Sequence, residues 1–276
     1  MMLKVLSENT AASEDFGCEH GLSLYAETNQ HRLLFDTGAS GLFAENAEKL
    51  GVNLSAVDIA VLSHGHYDHG GGLKTFLGKN ERAKVYVQER AFEPHYSNRA
   101  GGIKAYIGLE LALLPNERFV FCGQRQKIDG ELDLFSEVRE ITPVPSGNAE
   151  LYRKAGEAFL PDDFAHEQNL VIWQNKRAVL IAGCAHRGIL NIVRQFASDH
   201  GRFPDLVIGG FHLHSRGSGK TEFPEAVDAL ARELLQTGAQ YYTCHCTGQV
   251  AYQRLKAVMG NHIGYLSAGS RLAISL

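Results

Sequence analysis

No stretch of this 276-residue chain approaches the roughly 20 consecutive apolar residues that a membrane-crossing helix needs, which excludes a helical bilayer span. Met1 to Glu8 hold one lysine and a short apolar stretch that runs straight into acidic residues. They lack the apolar core and cleavage pattern of a secretory leader, so a cytoplasmic protein is the expectation. Lysine and arginine form no long run, and 27 basic residues against 31 acidic ones leave a net charge of -4. Bulk attraction to a nucleic-acid backbone is thereby excluded, and an anionic ligand must be held by a local site. The five cysteines (Cys18, Cys122, Cys184, Cys244, Cys246) are odd in number and sparse, which argues against a disulfide framework and for a reducing compartment. A hydrophobic fraction of 44% with 21% charged residues leaves no sign of disorder and enough apolar mass for a large core. At this length one domain spanning residues 1–276 is the default.

What the chain does have is histidine, 13 in all. Residues 63–72 read Ser63-His64-Gly65-His66-Tyr67-Asp68-His69-Gly70-Gly71-Gly72, with three imidazoles and a carboxylate in six consecutive positions directly after an apolar strand. In an extended or turning loop, ligands at i and i+2 close on one ion while those at i+4 and i+5 come round to a neighbour. Imidazole and carboxylate together suit zinc, iron or manganese, and two ions are expected.

Along the chain, Leu3 to Leu6, Leu22 to Glu27 and Arg32 to Phe35 read as short strands, the third ending in Asp36-Thr37-Gly38. Ser40 is placed to cap a helix running to Leu50. Asp58 to Ser63 reads as a buried strand feeding the histidine cluster; Leu73 to Leu77 starts a short helix, and Ala83 to Gln88 is another strand. From about 90 to 165 the periodicity weakens, prolines accumulate, and strands are expected only at Phe119 to Cys122 and Glu131 to Val138. Such a segment suits a variable substrate wall or lid, with His95, Tyr96, Arg99, Lys104 and Tyr106 available to touch substrate.

Order returns with a hairpin, Leu170 to Trp173 and Ala178 to Ala182, and then strand and helix alternate. Helices are expected at Gly188 to His200, Phe223 to Thr237 and Gln249 to Met259, strands at Leu206 to Ile208, Tyr241 to Thr243, Ile263 to Leu266 and Arg271 to Leu276. His186, His212 and His245 each follow one of the apolar strands beside glycine or cysteine, and strand C-termini are where α/β folds assemble sites. Cys244 and Cys246 flank His245. Strand alternation would point both sulfurs together and away from it, a structural role.

A strand followed by His-x-His-x-Asp-His, with further histidines at later strand ends, resembles the metallo-β-lactamase superfamily. More narrowly, Glu19-His20-Gly21-Leu22-Ser23, Leu34-Phe35-Asp36-Thr37-Gly38, the His64 to His69 cluster, Gly183-Cys184-Ala185-His186, Gly209-Gly210-Phe211-His212 and His245-Cys246-Thr247-Gly248 resemble a subgroup labelled as a dihydropterin-ribofuranosylaminobenzene-5'-phosphate synthase. The resemblance implies an α/β fold of the four-layer αββα type, with metal at one edge. It implies that His64, His66 and His186 hold a first ion, that Asp68, His69 and His245 hold a second, and that Asp36 braces the metal loop from behind. The chain departs from the pattern where many members carry a bridging aspartate: here stands Gly183-Cys184. Cys184 ligates, or stands behind the ligands, or leaves the bridge to water, or yields the role to His212; His166 competes for the third histidine of the first set.

The expected activity is that of a metal-dependent hydrolase acting on a small anionic substrate such as a phosphoester, through a metal-activated water. Asp68 would ligate and steer that water, and His212 would give a proton to the leaving oxygen. Transfer of a dihydropterinylmethyl group to a ribofuranosylaminobenzene phosphate is the second expectation, and iron-dependent redox chemistry the third. Neither nucleic acid nor membrane is expected as a partner.

Overall fold

The computed structural model describes residues 1–275; Leu276, the end of the expected closing strand, lies outside the described residues, and that strand is Arg271–Ala273. Two seven-stranded sheets carry the fold. In the first, Arg271–Ala273, Met2–Ser7, Ser23–Glu27 and Arg32–Phe35 run antiparallel in that order. Ile59–Leu62, Lys84–Gln88 and Phe119–Cys122 then continue parallel to Arg32–Phe35. In the second, Arg125–Lys127, Leu132–Phe135, Asn169–Gln174 and Arg177–Ile181 are antiparallel neighbours, followed in parallel by Leu206–Gly209, Gln240–Thr243 and Ile263–Tyr265.

Side-chain alternation, with a period of two, decides how the sheets stack. Leu33, Phe35, Ile59 and Val61 from the first sheet meet Leu170, Ile172, Val179, Ile181, Leu206 and Ile208 from the second in one buried cluster. The intervening Leu34, Ala60 and Leu62 face the other way, onto Phe43, Ala47 and Phe76 of the helices Leu42–Lys49 and Leu73–Lys79. Val171, Leu180 and Val207 likewise turn outward onto Ile192, Phe196, Ala231 and Leu255 of the helices Ile189–His200, Pro224–Gln236 and Gln249–Met259. Three apolar clusters therefore separate four layers, helix, sheet, sheet and helix. Strands buried on both faces read as unbroken apolar runs, which is why they are visible in the sequence. No helix among the described residues is long and apolar enough to cross a membrane.

The segment from 90 to 165 is more ordered than its weak periodicity suggests. Phe119–Cys122 and Leu132–Phe135 belong to the two main sheets, while His95–Asn98, Lys104–Tyr106, Leu151–Ala155 and Ala158–Pro161 form a separate four-stranded antiparallel sheet. Its strands are partly exposed, so they lack the apolar signature of the main sheets. Ser40 precedes the helix by one more residue than expected: Gly41 takes the cap position, and the Ser40 hydroxyl accepts the Leu42 N–H at 3.2 Å.

Ile208 is fully buried in the cluster between the sheets. Ile208→Ala is expected to lower unfolding free energy by about 2–5 kcal/mol in urea denaturation. A loss under about 1 kcal/mol would mean that the interface between the sheets is not close-packed there.

Candidate metal centre

The parallel strands of both sheets point their C-termini at one edge of the molecule. From Arg32–Phe35 comes Asp36, from Ile59–Leu62 the His64 to His69 loop, from Arg177–Ile181 Cys184 and His186, from Leu206–Gly209 His212, and from Gln240–Thr243 His245. Asp36, Ala185, His212 and His245 all adopt positive φ, between 50° and 60°, at these strand ends. Each such residue costs on the order of 1–3 kcal/mol, and strain of this kind collects at sites that the surroundings over-determine. Glycine is needed where the loops nearly touch: a Cβ on Gly65 would lie 2.1 Å from the Ala91 carbonyl oxygen, and one on Gly183 would lie 2.2 Å from Ser63 Oγ.

His64, His66, Asp68, His69, His186 and His245 are all brought together and buried. Donor atoms of His64, His186 and Cys184 lie within 4.8 Å of one another, and so do those of Asp68, His69, His245 and Cys184. Four of the imidazoles are oriented in the same way. Nδ1 of His69 meets Asp36 Oδ2 at 2.6 Å, Nδ1 of His186 meets Asn148 Oδ1 at 3.0 Å, and Nδ1 of His245 meets Asn9 Oδ1 at 2.8 Å. Nδ1 of His64 lies 2.8 Å from Ser63 Oγ, whose own proton goes to Asp36 Oδ2. Because each partner offers a lone pair, the network assigns the proton to Nδ1 in every case and turns Nε2 inward. Nε2 of His64 and of His186 is buried with no hydrogen-bond partner among the described residues, Nε2 of His245 faces Asp68 Oδ2 at 3.3 Å, and Nε2 of His69 faces Cys184 Sγ at 3.1 Å. Orphaned, inward-facing lone pairs braced from behind are what a divalent cation needs, so these residues fit the ions that the resemblance implies.

For His64 and His186 the electrostatics agree. Burial, followed by repulsion from neighbouring imidazoles, drives His64 and His186 well below the usual histidine pKa, which keeps their lone pairs free. Burial alone would lower His69 too, but the carboxylates of Asp36 and Asp68 outweigh it and raise the imidazole to about 9. Burial opposes ionisation of Asp68, yet His69, His20 and His245 hold it well below the usual carboxylate range.

His66 is placed differently. Its ring sits 4.6 Å from that of His64 and 5.1 Å from that of His186, but its donor groups with His95, Asp162 and His166. Nδ1 of His166 accepts the Gly65 N–H at 2.9 Å, so Nε2 carries the proton, 3.3 Å from Asp162 Oδ2. With both nitrogens engaged, His166 offers no lone pair to an ion. His95 also donates to Asp162, at 3.0 Å, so Asp162 holds two imidazoles behind His66.

Cys184, left open between ligating and standing behind the ligands, has its sulfur within 4.8 Å of the donor atoms of both sets. Cys246 corrects the alternation argument: the strand ends at Thr243, and His245–Thr247 forms a turn that swings the Cys246 sulfur into the site. There it accepts the His212 N–H at 3.3 Å, while Cys244 stays in the core. His212 lines the cleft above the donors, its ring 4.2 Å from that of His186. Sequence reasoning gave no role to His20, whose Nε2 lies 3.2 Å from Asp68 Oδ2, nor to Asn9 and Asn148. Only the Glu19-His20 motif carried a signal.

A model of the metallo-beta-lactamase superfamily matches residues 16–187. The chain belongs to the metallo-beta-lactamase superfamily. It is 30% identical to the uncharacterized protein MJ0448 of Methanocaldococcus jannaschii over 226 residues, covering 77% of this chain and 79% of the relative. A second protein of that organism, named 7,8-dihydropterin-6-methyl-4-(beta-D-ribofuranosyl)-aminobenzene-5'-phosphate synthase, is 25% identical over 263 residues, 88% of this chain and 86% of the relative. Among solved structures, Tm1679, described as a metal-dependent hydrolase of the beta-lactamase superfamily, superposes with a TM-score of 0.84 at 29% identity, covering 100% of this chain and 99% of that one. The superfamily fold implies divalent metal, and the histidine and carboxylate clusters described above are where this chain would hold it.

Two outcomes follow. His64→Ala or His186→Ala, each deleting one inward Nε2, should lose bound metal by elemental analysis; unchanged stoichiometry in both would mean that the ions sit elsewhere. Asp36→Asn should retain the fold and weaken metal binding about 10 to 100-fold in chelator competition. The same pair sets a pH dependence. In the metal-free chain the Asp36–His69 pairing stabilises fully below the unfolded histidine pKa of about 6.5 and is lost as pH rises through about 9. A cation at Nε2 must displace the second proton of the His69 imidazolium while Nδ1 keeps its bond to Asp36, so wild-type affinity should climb about tenfold per pH unit toward 9, with the climb ending at lower pH in Asp36→Asn. Affinity that is flat from pH 7 to 9 would sink the assignment.

Proposed function

We propose that the chain is a metal-dependent hydrolase that holds two divalent ions, zinc foremost with iron or manganese as alternatives, and acts on a small anionic substrate of the phosphoester type. The observation that carries this reading is the set of orphaned, inward-facing imidazole nitrogens beside Asp68. The likeness to Tm1679 supports it.

Above the donors opens a cleft that His66, Asp68, Cys184, His186 and His212 help to line. Arg99 and Arg216 line it as well, with Arg216 Nη1 donating to the Tyr67 hydroxyl at 3.2 Å. Two guanidinium groups over a buried donor set suit an anion whose charged oxygens reach outward while its scissile bond faces inward. Bound ions would supply a water acidified toward neutrality and positive charge opposite the leaving oxygen. Asp68, paired with His20 at 3.2 Å, lines the cleft beside the donor set. His212 reaches into the cleft with Nδ1 unpartnered, placed to hand a proton to a departing oxygen.

The 25% identical relative named as a synthase supports a second reading, group transfer onto an aromatic ribosyl phosphate, in which the same arginines would hold the phosphate. A substrate panel separates the two: metal-loaded protein releasing phosphate or alcohol from simple phosphoesters supports hydrolysis, whereas turnover only with a pterin donor and an arylamine acceptor supports transfer. In either case Arg99→Ala and Arg216→Ala should raise KM about 10-fold or more with metal content unchanged, since a charge-assisted contact contributes about 1.5–3 kcal/mol. Unchanged KM in both would remove the anion from the reading.

A further inference from the structure

We propose that the Cys184 sulfur is the ligand shared by the two donor sets, a thiolate bridge standing where other members of the superfamily place a carboxylate. The proposal rests on the metal-centre reading above. Cys184 recurs among the donor groups of the described residues: with His64 and His186, with Asp68, His69 and His245, and with His212 and Cys246, within 4.8 Å each time. Asp68, the carboxylate of the centre, falls in only one of these sets. A single atom close to both sets of inward nitrogens occupies the bridging position.

The backbone on both sides of Cys184 is constrained. Gly183 passes so close to the histidine loop that a Cβ would lie 3.2 Å from His64 Nδ1 as well as against Ser63. Ala185 takes a φ of 55°, and the Glu167 carboxylate accepts the backbone N–H groups of His186 at 2.7 Å and Arg187 at 3.1 Å. Cys184 is thus pinned from both sides, with its Sγ 3.1 Å from His69 Nε2.

The chemistry is a ligand exchange and needs no oxidant. The Cys184 S–H bond breaks, its proton leaves to solvent, and the sulfur lone pairs form bonds to the ions. A thiolate at this position favours zinc, iron(II) or cobalt(II) over magnesium and calcium. Cys246 is the internal control: its sulfur belongs to the Cys184–His212 group but to neither histidine set.

The test uses the full chain, stripped with chelator under reducing conditions and titrated with cobalt(II). Wild type is expected to take up two equivalents with a near-ultraviolet thiolate-to-cobalt charge-transfer absorption. Cys184→Ser should abolish that absorption and weaken the second equivalent about 10-fold or more. Cys184→Asp should abolish the absorption yet restore the second equivalent, and Cys246→Ser should keep both. Absorption that survives Cys184→Ser, or vanishes in Cys246→Ser alone, overturns the bridge, as does uptake of one equivalent only. Two equivalents without the absorption overturn the bridge and leave the metal centre standing, whereas no uptake at all overturns both.

Discussion

The centre depends on buried carboxylates that grip the backbone beside its histidines. Asp36 accepts the Ser63 N–H at 2.7 Å, Glu167 accepts that of His186 at 2.7 Å, and Glu8 accepts that of His245 at 2.5 Å, each almost fully buried. One carboxylate thus fixes each loop that delivers an imidazole, while a second side-chain oxygen fixes that imidazole's tautomer. With Asp68 and Asp162, five acidic side chains are packed around one edge of the sheets. Burial pushes Glu167 up to about 7, and burying charged carboxylates is costly unless cations offset them. Protonated His69 supplies part of the compensation, and divalent cations among the donors would supply the rest, so that metal binding and local stability are one equilibrium.

The fold serves this arrangement through direction. The parallel portion of each sheet ends its strands at the same edge, and sandwiching the sheets brings the two sets of ends face to face. Neither sheet alone carries a full donor set: the first delivers His64 to His69, the second Cys184, His186 and His245. The cluster between the sheets, Phe35 and Val61 against Ile181 and Ile208, therefore also sets the spacing of the donors. A change of packing there would move ligands that it never touches.

How much of this was legible in the sequence follows from how local each signal is. The His64 to His69 cluster and the histidines at strand ends are written contiguously, and the doubly buried strands appear as apolar runs, so the strands and the candidate donors could be read directly, whereas the four-layer stacking came only with the family resemblance. The braces could not. Glu8 and Asn9 reach His245 across more than 230 positions, and Asn148 reaches His186 from a loop that looked like lid. Polar residues of that kind look like solvated surface until the fold closes over them. Cys246 misled because alternation holds only while the strand lasts, and the chain turns at Cys244. His95 looked like a substrate contact because it sits in a weakly patterned segment, yet its Nδ1 is engaged with Asp162.

Chemistry and recognition are also separated by element. The inward nitrogens come from the two main sheets, which the core holds rigidly, whereas the cleft wall comes from the third sheet and from the loop around Ser215 and Arg216. These two meet where Ser215 donates to Glu150 at 2.6 Å. Arg99 follows the strand His95–Asn98, whose first residue leans on Asp162 behind His66. The third sheet is therefore tied to the donors at its inner end and lines the cleft at its outer end. Changes at the outer end would reshape the cleft while the inner end, with its buried carboxylate and paired imidazoles, keeps His66 in place.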